Sequence, residues 1–225
     1  MNNKQNEYEE ENKMIREINL FIKRIVDILG SGIGLLILSP ILLITALLIK
    51  ITMPGPVFFK QVRAGKNKKA FSILKFRTMK VDLEVEKNHD TSKDEERKTV
   101  LGNILRRIKI DELPQLINVF KGNMSLVGPR PTFAEQANTY NEFQIRRLDM
   151  RPGMTGLAQV NGNIAIPWEE RIKYDVMYVQ NFSVLLDIKI LLKTIKVVLF
   201  GEEKYAKEFD EKASTEITEQ HMSIK

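Results

Sequence analysis

Residues 28–49 read ILGSGIGLLILSPILLITALLI, 22 positions without a charge, with Lys23 and Arg24 before them and Lys50 after. A continuous helix of that length reaches about 33 Å at 1.5 Å per residue, close to the thickness of a hydrocarbon core. The run starts far from Met1, is long, and is followed by no small-residue cleavage site, so it reads as a retained anchor and not a signal peptide. Ser39-Pro40 lies at its middle. Proline removes one backbone hydrogen bond and its ring crowds the preceding turn, so a bend or break is expected there. The Ser39 hydroxyl is placed to bond a carbonyl released by that break.

The flanks set the topology. From Lys50 to Lys80 there are nine Lys or Arg and no Asp or Glu, which marks that side as cytoplasmic. Lys23 and Arg24 mark the other side the same way, although Glu7, Glu9, Glu10 and Glu11 lie further out. A re-entrant helix–break–helix satisfies both flanks; a kinked span is the alternative, and composition alone favours the span. Gly30-Ser31-Gly32-Ile33-Gly34 is not a dinucleotide fingerprint, because Leu35 stands where the last glycine is required. Small residues for close helix packing are the better reading.

Around this segment the 225-residue chain has room for one domain with appendages. It contains no Cys, which excludes disulfides, thiol nucleophiles and Cys-ligated metals. Its two His, His89 in a charge run and His221 near the C-terminus, leave no basis for a His triad or a multi-His metal site. The net charge of +6 admits phosphate-rich partners, either a nucleic acid, a nucleotide or an anionic membrane surface. Carboxylates, hydroxyls, Arg, Lys and a hard metal ion remain as chemical means.

Residues 1–20 are polar, turning weakly amphipathic around Met14, Ile15, Ile18 and Phe21. Met53-Pro54-Gly55-Pro56 is a turn. Val57-Phe58-Phe59 and Phe71-Ser72-Ile73-Leu74 read as short strands around the basic turn 65–69. Val81 to Thr99 is highly charged and reads as a loop or solvated helix. Ser183 to Phe200 carries apolar residues at helical spacing with Lys189, Lys193 and Lys196 for a polar face, suiting either a membrane surface or a core-packed helix.

Asp111-Glu112 is an adjacent carboxylate pair in an apolar, Arg-flanked setting. Asp111 is a credible N-cap for a helix carrying Leu116, Ile117, Val119 and Phe120, and capping alone is the plain reading. The same position also draws anions. A phosphate attracted beside Arg106 and Arg107 can be transferred to the carboxylate, with Arg neutralising its oxygens and Mg²⁺ bridging a carboxylate to a diphosphate. Two carboxylates in different environments can divide the roles of nucleophile and proton handler.

The string from Lys109-Ile110-Asp111-Glu112-Leu113-Pro114-Gln115 to Val119, followed by Lys121 to Pro131 (KGNMSLVGPRP), resembles the hallmark of the bacterial sugar transferases, the monotopic phosphoglycosyl transferases. Arg151 to Gly162 (RPGMTGLAQVNG), Gln61 to Gly65 and Lys75 to Met79 match further blocks in the family's order, and the match extends from about Phe21 to Phe200. The resemblance implies that Asp111 is the nucleophile that displaces UMP from a UDP-sugar, with Glu112 as its dyad partner. It implies that Arg106 holds phosphate, that Pro129-Arg130-Pro131, Arg151 and Gln159 lie near the nucleotide, and that Mg²⁺ is needed, with Asp111 as a metal ligand. Ser39-Pro40 matches the break that makes the family's membrane segment re-entrant, which reverses the preference for a span. Two departures stand out: Leu157 where Trp is usual, and Asn163 where Arg is usual.

The resulting expectation is a helix-rich α+β monotopic membrane protein with a small β element. Its parts are a polar segment (1–20), a re-entrant anchor (21–52), a cytoplasmic catalytic domain with interfacial helices (53–200) and a charged tail (201–225). It would pass hexose or acetamido-sugar 1-phosphate from a UDP-sugar to polyprenyl phosphate at the cytoplasmic face of a bacterial inner membrane, with no nucleic-acid partner. The rival is a non-catalytic membrane adaptor whose basic face recruits a partner.

Overall fold

The computed structural model describes residues 2–82 and 94–200, with side chains from Glu10 onward; the expected tail 201–225, both histidines and most of the charge run from Val81 lie outside them. One helix, α1 (Asn2–Thr52), contains both the polar segment and the apolar run, so the boundary drawn at residue 20 is not a structural one. Helical structure also continues across Ser39-Pro40. The expected break is therefore local: Pro40 has no N–H for the Leu36 carbonyl, and the Ser39 hydroxyl donates to that carbonyl at 2.8 Å.

α1 has two unlike faces. Lys23, Asp27, Ser31, Thr45 and Ile49 are buried and recur every three or four residues or a multiple of that, forming one stripe along the helix. The other side exposes Phe21, Leu29, Leu36, Ile37, Leu43 and Ile51, with Leu36 at 77%. By length and composition the helix is apolar enough to cross a membrane.

After α1 come the strands β1 (Phe58–Ala64) and β2 (Ala70–Phe76), an antiparallel hairpin pairing Phe58 with Phe76 and Ala64 with Ala70. Arg77, buried just beyond β2, donates to the carbonyls of Met53 and Pro54, so it caps the C-terminal end of α1 with a positive charge. The charge run contributes a single described turn, α2 (Asp94–Arg97), and then α3 (Val100–Arg107), which is N-capped by the Thr99 hydroxyl accepting from the Gly102 amide. α4 (Gln115–Lys121) stops at Gly122, whose φ of +85° is the left-handed closure that glycine favours.

α4 lies against α1 where the glycines are. A Cβ on Gly32 would sit 3.5 Å from the Phe120 ring, and one on Gly34 would sit 3.4 Å from Leu116. The small residues thus admit α4 of the same chain. Strand β3 (Ser125–Val127) follows α4 and is fixed to α1: Asp27 accepts from the Ser125 hydroxyl and the Leu126 amide, both at 2.9 Å. Next come α5 (Ala134–Asn138) and β4 (Gly153–Thr155), which pairs in parallel with β3. α6 (Trp168–Gln180) and α7 (Val184–Phe200) complete the described chain.

α7 fits both readings of its sequence. Asp187, Ile190 and Val197 are buried, while Leu185, Ile188, Leu192, Ile195 and Leu199 form an exposed apolar stripe. α3 repeats the pattern, with Leu105 inward and Val100 and Ile104 outward, and Ile108 just beyond its end is exposed too. Soluble domains rarely leave such stripes uncovered.

The largest core cluster contains Val127, Tyr178, Phe182 and Ile190, and a polar junction crosses it. Lys23 Nζ donates to Asp187 Oδ2 at 2.5 Å and to the Val127 carbonyl at 2.8 Å, and Tyr178 donates to Asp187 Oδ1 at 2.7 Å. Burial pushes the Asp187 carboxyl upward against the pull of Lys23. Removing one partner of a buried pair strands the other charge. Lys23→Met is expected to destabilise the protein by about 3 kcal/mol. The double variant Lys23→Met/Asp187→Leu should recover most of that loss, measured by thermal unfolding in detergent.

Candidate active site

The acidic pair sits on a 3₁₀ turn, Ile110–Glu112, between α3 and α4. Lys109 enters this turn with φ +59°, a left-handed conformation that costs a non-glycine residue roughly 1 kcal/mol and is often found at functional sites. Asp111 is not the N-cap expected from the pattern. Pro114 occupies that position, and the helix begins at Gln115, because the turn already supplies carbonyls for the first helical amides: Leu113 accepts from Leu116 and Pro114 from Ile117. Relieved of a capping role, Asp111 is buried, and its Oδ1 is out of water with no hydrogen bond.

The two carboxylates differ in surroundings. Burial, then the neighbouring Glu112, pushes the Asp111 carboxyl above its ordinary value, opposed by Lys75, Arg106 and Lys109. Burial acts upward most strongly on Glu112, but the charge and hydrogen bond of Lys75 together with Arg130 and Lys109 outweigh it, so its carboxyl lies below the ordinary value. The Lys75 Nζ to Glu112 Oε1 distance is 2.6 Å. Lys75 stands on β2, and that strand is held to α4 by Asn118, whose side chain accepts from the Leu74 amide at 2.9 Å and donates to the Ser72 carbonyl at 2.8 Å. An asparagine on the helix thereby takes the place of a neighbouring strand and sets where Lys75 points.

Arg106 is near enough to act on Asp111 by charge, and its Nε donates to the Thr78 hydroxyl at 2.8 Å. Glu112, Lys75 and Arg130 line a cavity of about 80 Å³. Arg63, Arg130, Pro131 and Gln159 are shared with a second cavity of about 250 Å³ that carries Phe133, Asn163, Trp168 and Asp175. Asp111 is on the wall of neither and lies beside Glu112. Both amide atoms of Gln159 are buried beside the shared wall without a hydrogen-bond partner.

The segment Pro129-Arg130-Pro131 is held on three sides. Gly153 donates to the Pro129 carbonyl and Gly128 to the Thr155 carbonyl, each at 2.9 Å. The backbones approach so closely that a Cβ on Gly128 would lie 2.4 Å from the Arg151 carbonyl oxygen. Arg147 donates to the Arg130 carbonyl at 3.0 Å and to Asp175 Oδ2 at 2.5 Å, and it reaches the Tyr140 hydroxyl at 2.7 Å. Burial pushes the Asp175 carboxyl up to about 6, against the opposing charge of Arg147.

Most of the residues singled out from the sequence converge: Asp111, Glu112 and Arg106 at the turn, with Arg130, Pro131 and Gln159 on the cavity walls. Arg151 does not join them, since its Nε donates to the Gly122 carbonyl at 2.8 Å, beyond the C-terminal end of α4. Leu157 packs against the main core, so its departure from the family pattern is a matter of packing, whereas Asn163 faces the larger cavity. Lys75, Arg63 and Arg147 carried no assigned role. Lys75 and Arg63 lie within quoted motifs, but only the hairpin register turns them toward the turn and the cavities.

A model of the bacterial sugar transferase family matches residues 18–201. The sugar transferase EpsL of Bacillus subtilis is 44% identical over 183 residues, 81% of this chain and 90% of that one. A UDP-N-acetylgalactosamine-undecaprenyl-phosphate N-acetylgalactosaminephosphotransferase of Aeromonas hydrophila is 44% identical over 82% of this chain and 45% of its own length. A UDP-glucose:undecaprenyl-phosphate glucose-1-phosphate transferase of Klebsiella pneumoniae is 41% identical over 79% of this chain and 40% of its own length. The chain thus spans most of EpsL and less than half of the other two.

Lys75 lowers both carboxyls of the pair, so removing it acts on both in one direction. In Lys75→Met, Asp111 and Glu112 should both titrate at higher pH than in the wild type, Glu112 by the larger amount because it also loses a hydrogen bond. Carboxyl-carbon NMR titration checks this, and an unmoved Glu112 would contradict the pairing.

Proposed function

Because the chain belongs to the bacterial sugar transferase family, we propose that it transfers a sugar 1-phosphate from a UDP-sugar to polyprenyl phosphate and releases UMP. The observation that carries this reading is the desolvated Asp111 carboxylate with an unsatisfied oxygen, beside a second carboxylate already paired with Lys75 and next to arginine-lined cavities. The enzymatic relatives are named for that reaction with acetamido-hexose and hexose donors. A non-catalytic adaptor has no need of two neighbouring carboxylates tuned in opposite directions.

In this reading Asp111 attacks the phosphorus that bears the sugar. The Asp111 oxygen–phosphorus bond forms, the bond to the bridging oxygen breaks, and its electron pair leaves on UMP. A phosphate oxygen of the polyprenyl acceptor then attacks the same phosphorus and expels Asp111 as a carboxylate. Burial favours the nucleophile, because a poorly solvated carboxylate sheds little water to react. Glu112, held ionised by Lys75, accepts a hydrogen bond from the acceptor's phosphate if that group arrives protonated.

Mg²⁺ fits the donor set. Mg²⁺ is commonly bound by one or two carboxylates, with water and substrate phosphates completing its shell. The Asp111 carboxylate would hold the ion, and no group of three or more metal-binding side chains occurs among the described residues. The ion would supply positive charge to a diphosphate.

The faces support a membrane placement. The outward stripes of α1, α3 and α7 have lipid as a natural solvent, and the basic stretch from Lys50 to Lys80 favours the cytoplasmic side for the C-terminal end of α1. A re-entrant α1, bent at Ser39-Pro40, holds the site at the interface of the bacterial inner membrane. There a soluble donor and a lipid-borne phosphate meet without a charge crossing the bilayer.

UMP release from UDP-sugars, assayed with Mg²⁺ and polyprenyl phosphate, should fall by at least about a thousandfold in Asp111→Asn, as expected for loss of a nucleophile. Undiminished release in that variant would remove Asp111 from the reaction. Cys probes at positions 6 and 52, in a chain with no Cys of its own, should both label from the cytoplasmic side of inverted vesicles. Labelling from opposite sides would replace the re-entrant helix with a span.

A further inference from the structure

Arg63 has no part in the chemistry derived so far, yet it lies on the wall common to both cavities. It projects from β1, and its position is built. The guanidinium carbon lies 3.7 Å from the centre of the Phe133 ring, Nη2 donates to Gln61 Oε1 at 2.5 Å, and Nε is buried with no hydrogen bond. The strand is anchored beside that ring by the Ala64 amide, which donates to the Thr132 carbonyl at 2.9 Å.

Its neighbour across the junction is a second guanidinium, that of Arg130. The backbone of Arg130 is held by Arg147, while its side chain makes no hydrogen bond or ion pair among the described residues. Burial, and then the charge of Arg130, lowers Arg63 to about 10, with Glu135 on α5 acting the other way. Two like charges on one poorly solvated wall repel each other. Glu112 and Asp175 interact with the charge of Arg130, and Glu135 with that of Arg63, so carboxylates offset part of this repulsion. A phosphate between the two would offset more, and planar guanidiniums suit phosphate oxygens.

The position of the neck says which phosphate. On one side lies the small cavity with Glu112 and Lys75, next to the attacking carboxylate. On the other lies the larger cavity, with the rings of Phe133 and Trp168 on its wall. In a nucleoside diphosphate sugar, the group between the attacked phosphorus and the nucleoside is the α-phosphate.

We propose that Arg63 is a donor-binding residue that closes with Arg130 on the α-phosphate, the one that departs with the nucleoside. This rests on the transferase reading above. When the bond from the attacked phosphorus to the bridging oxygen breaks, the electron pair and the new charge go to the α-phosphate. No proton is required, because the two guanidiniums neutralise the charge where it forms. The second half of the reaction contains no nucleotide and makes no demand on Arg63.

The test compares UMP with uridine on the full-length protein in detergent, by equilibrium titration. Arg63→Met keeps an apolar chain against Phe133 and removes the charge; its UMP affinity should fall at least about tenfold, the scale of one lost charged hydrogen bond. Its uridine affinity should stay within about twofold of wild type, since uridine has no phosphate to lose. Donor KM should rise and the first step slow, while discharge of a preformed sugar-phosphate adduct to polyprenyl phosphate keeps its wild-type rate. Should Arg63→Met not fold, Arg63→Lys keeps the charge without the planar fork and should still lose UMP affinity selectively. Unchanged UMP binding, or equal losses for UMP and uridine, would overturn the assignment. A wild-type chain that releases no UMP from any donor would instead overturn the transferase reading, and one that also binds no UMP would overturn both.

Discussion

An ionisable oxygen held out of water without a hydrogen bond is costly, and Asp111 carries one. The fold supports it in three ways. The 3₁₀ turn removes the residue from a capping role, Pro114 and the turn carbonyls start α4 without it, and Lys75, Arg106 and Lys109 place positive charge close by. Glu112 lies one residue away but is neutralised by an ammonium from another element. Adjacent carboxyls are thereby driven in opposite directions, which lets one act as nucleophile while the other stays a charged partner.

The same elements tie the anchor to the chemistry. α1 is a wall of the core as well as a hydrophobic peg, because Lys23 and Asp27 hold β3 and the Val127 carbonyl, and Arg77 caps the helix at its far end. The segment bearing Arg130 starts two residues after Val127. The depth and angle of α1 in a membrane would therefore set the height of the arginines on the cavity walls. Four buried polar side chains on α1 (Lys23, Asp27, Ser31 and Thr45) make its register specific, where an all-apolar face would tolerate sliding.

Much of this was legible in the sequence. The uncharged run with a central Ser-Pro marked the long apolar helix, and the acidic pair beside Arg106 marked a turn on which Asp111 is buried. The short strands at 57–59 and 71–74 lie at or within the observed hairpin, which is longer. Where the structure differs from the pattern, the causes are local. An Asp ahead of an apolar run looks like a cap whether or not Pro114 takes that place. Arg151 sits in a motif rich in glycine and proline, but its side chain turns to the end of α4. Contacts between distant parts of the chain left no mark. Lys75 and Glu112 are 37 positions apart, Lys23 and Asp187 are 164 apart, and no periodicity relates them. They follow from strand register and helix docking, which only the assembled fold supplies.

The central claim is a covalent bond between the Asp111 carboxylate and phosphorus. Its most direct test is acid-quenched intact-mass analysis of the enzyme turning over a UDP-sugar without acceptor, followed by peptide mapping. The account predicts an added mass of one sugar phosphate on the peptide carrying Asp111, discharged when polyprenyl phosphate is supplied. An enzyme that releases UMP with no such adduct at any time, or with the adduct on another residue, would contradict it.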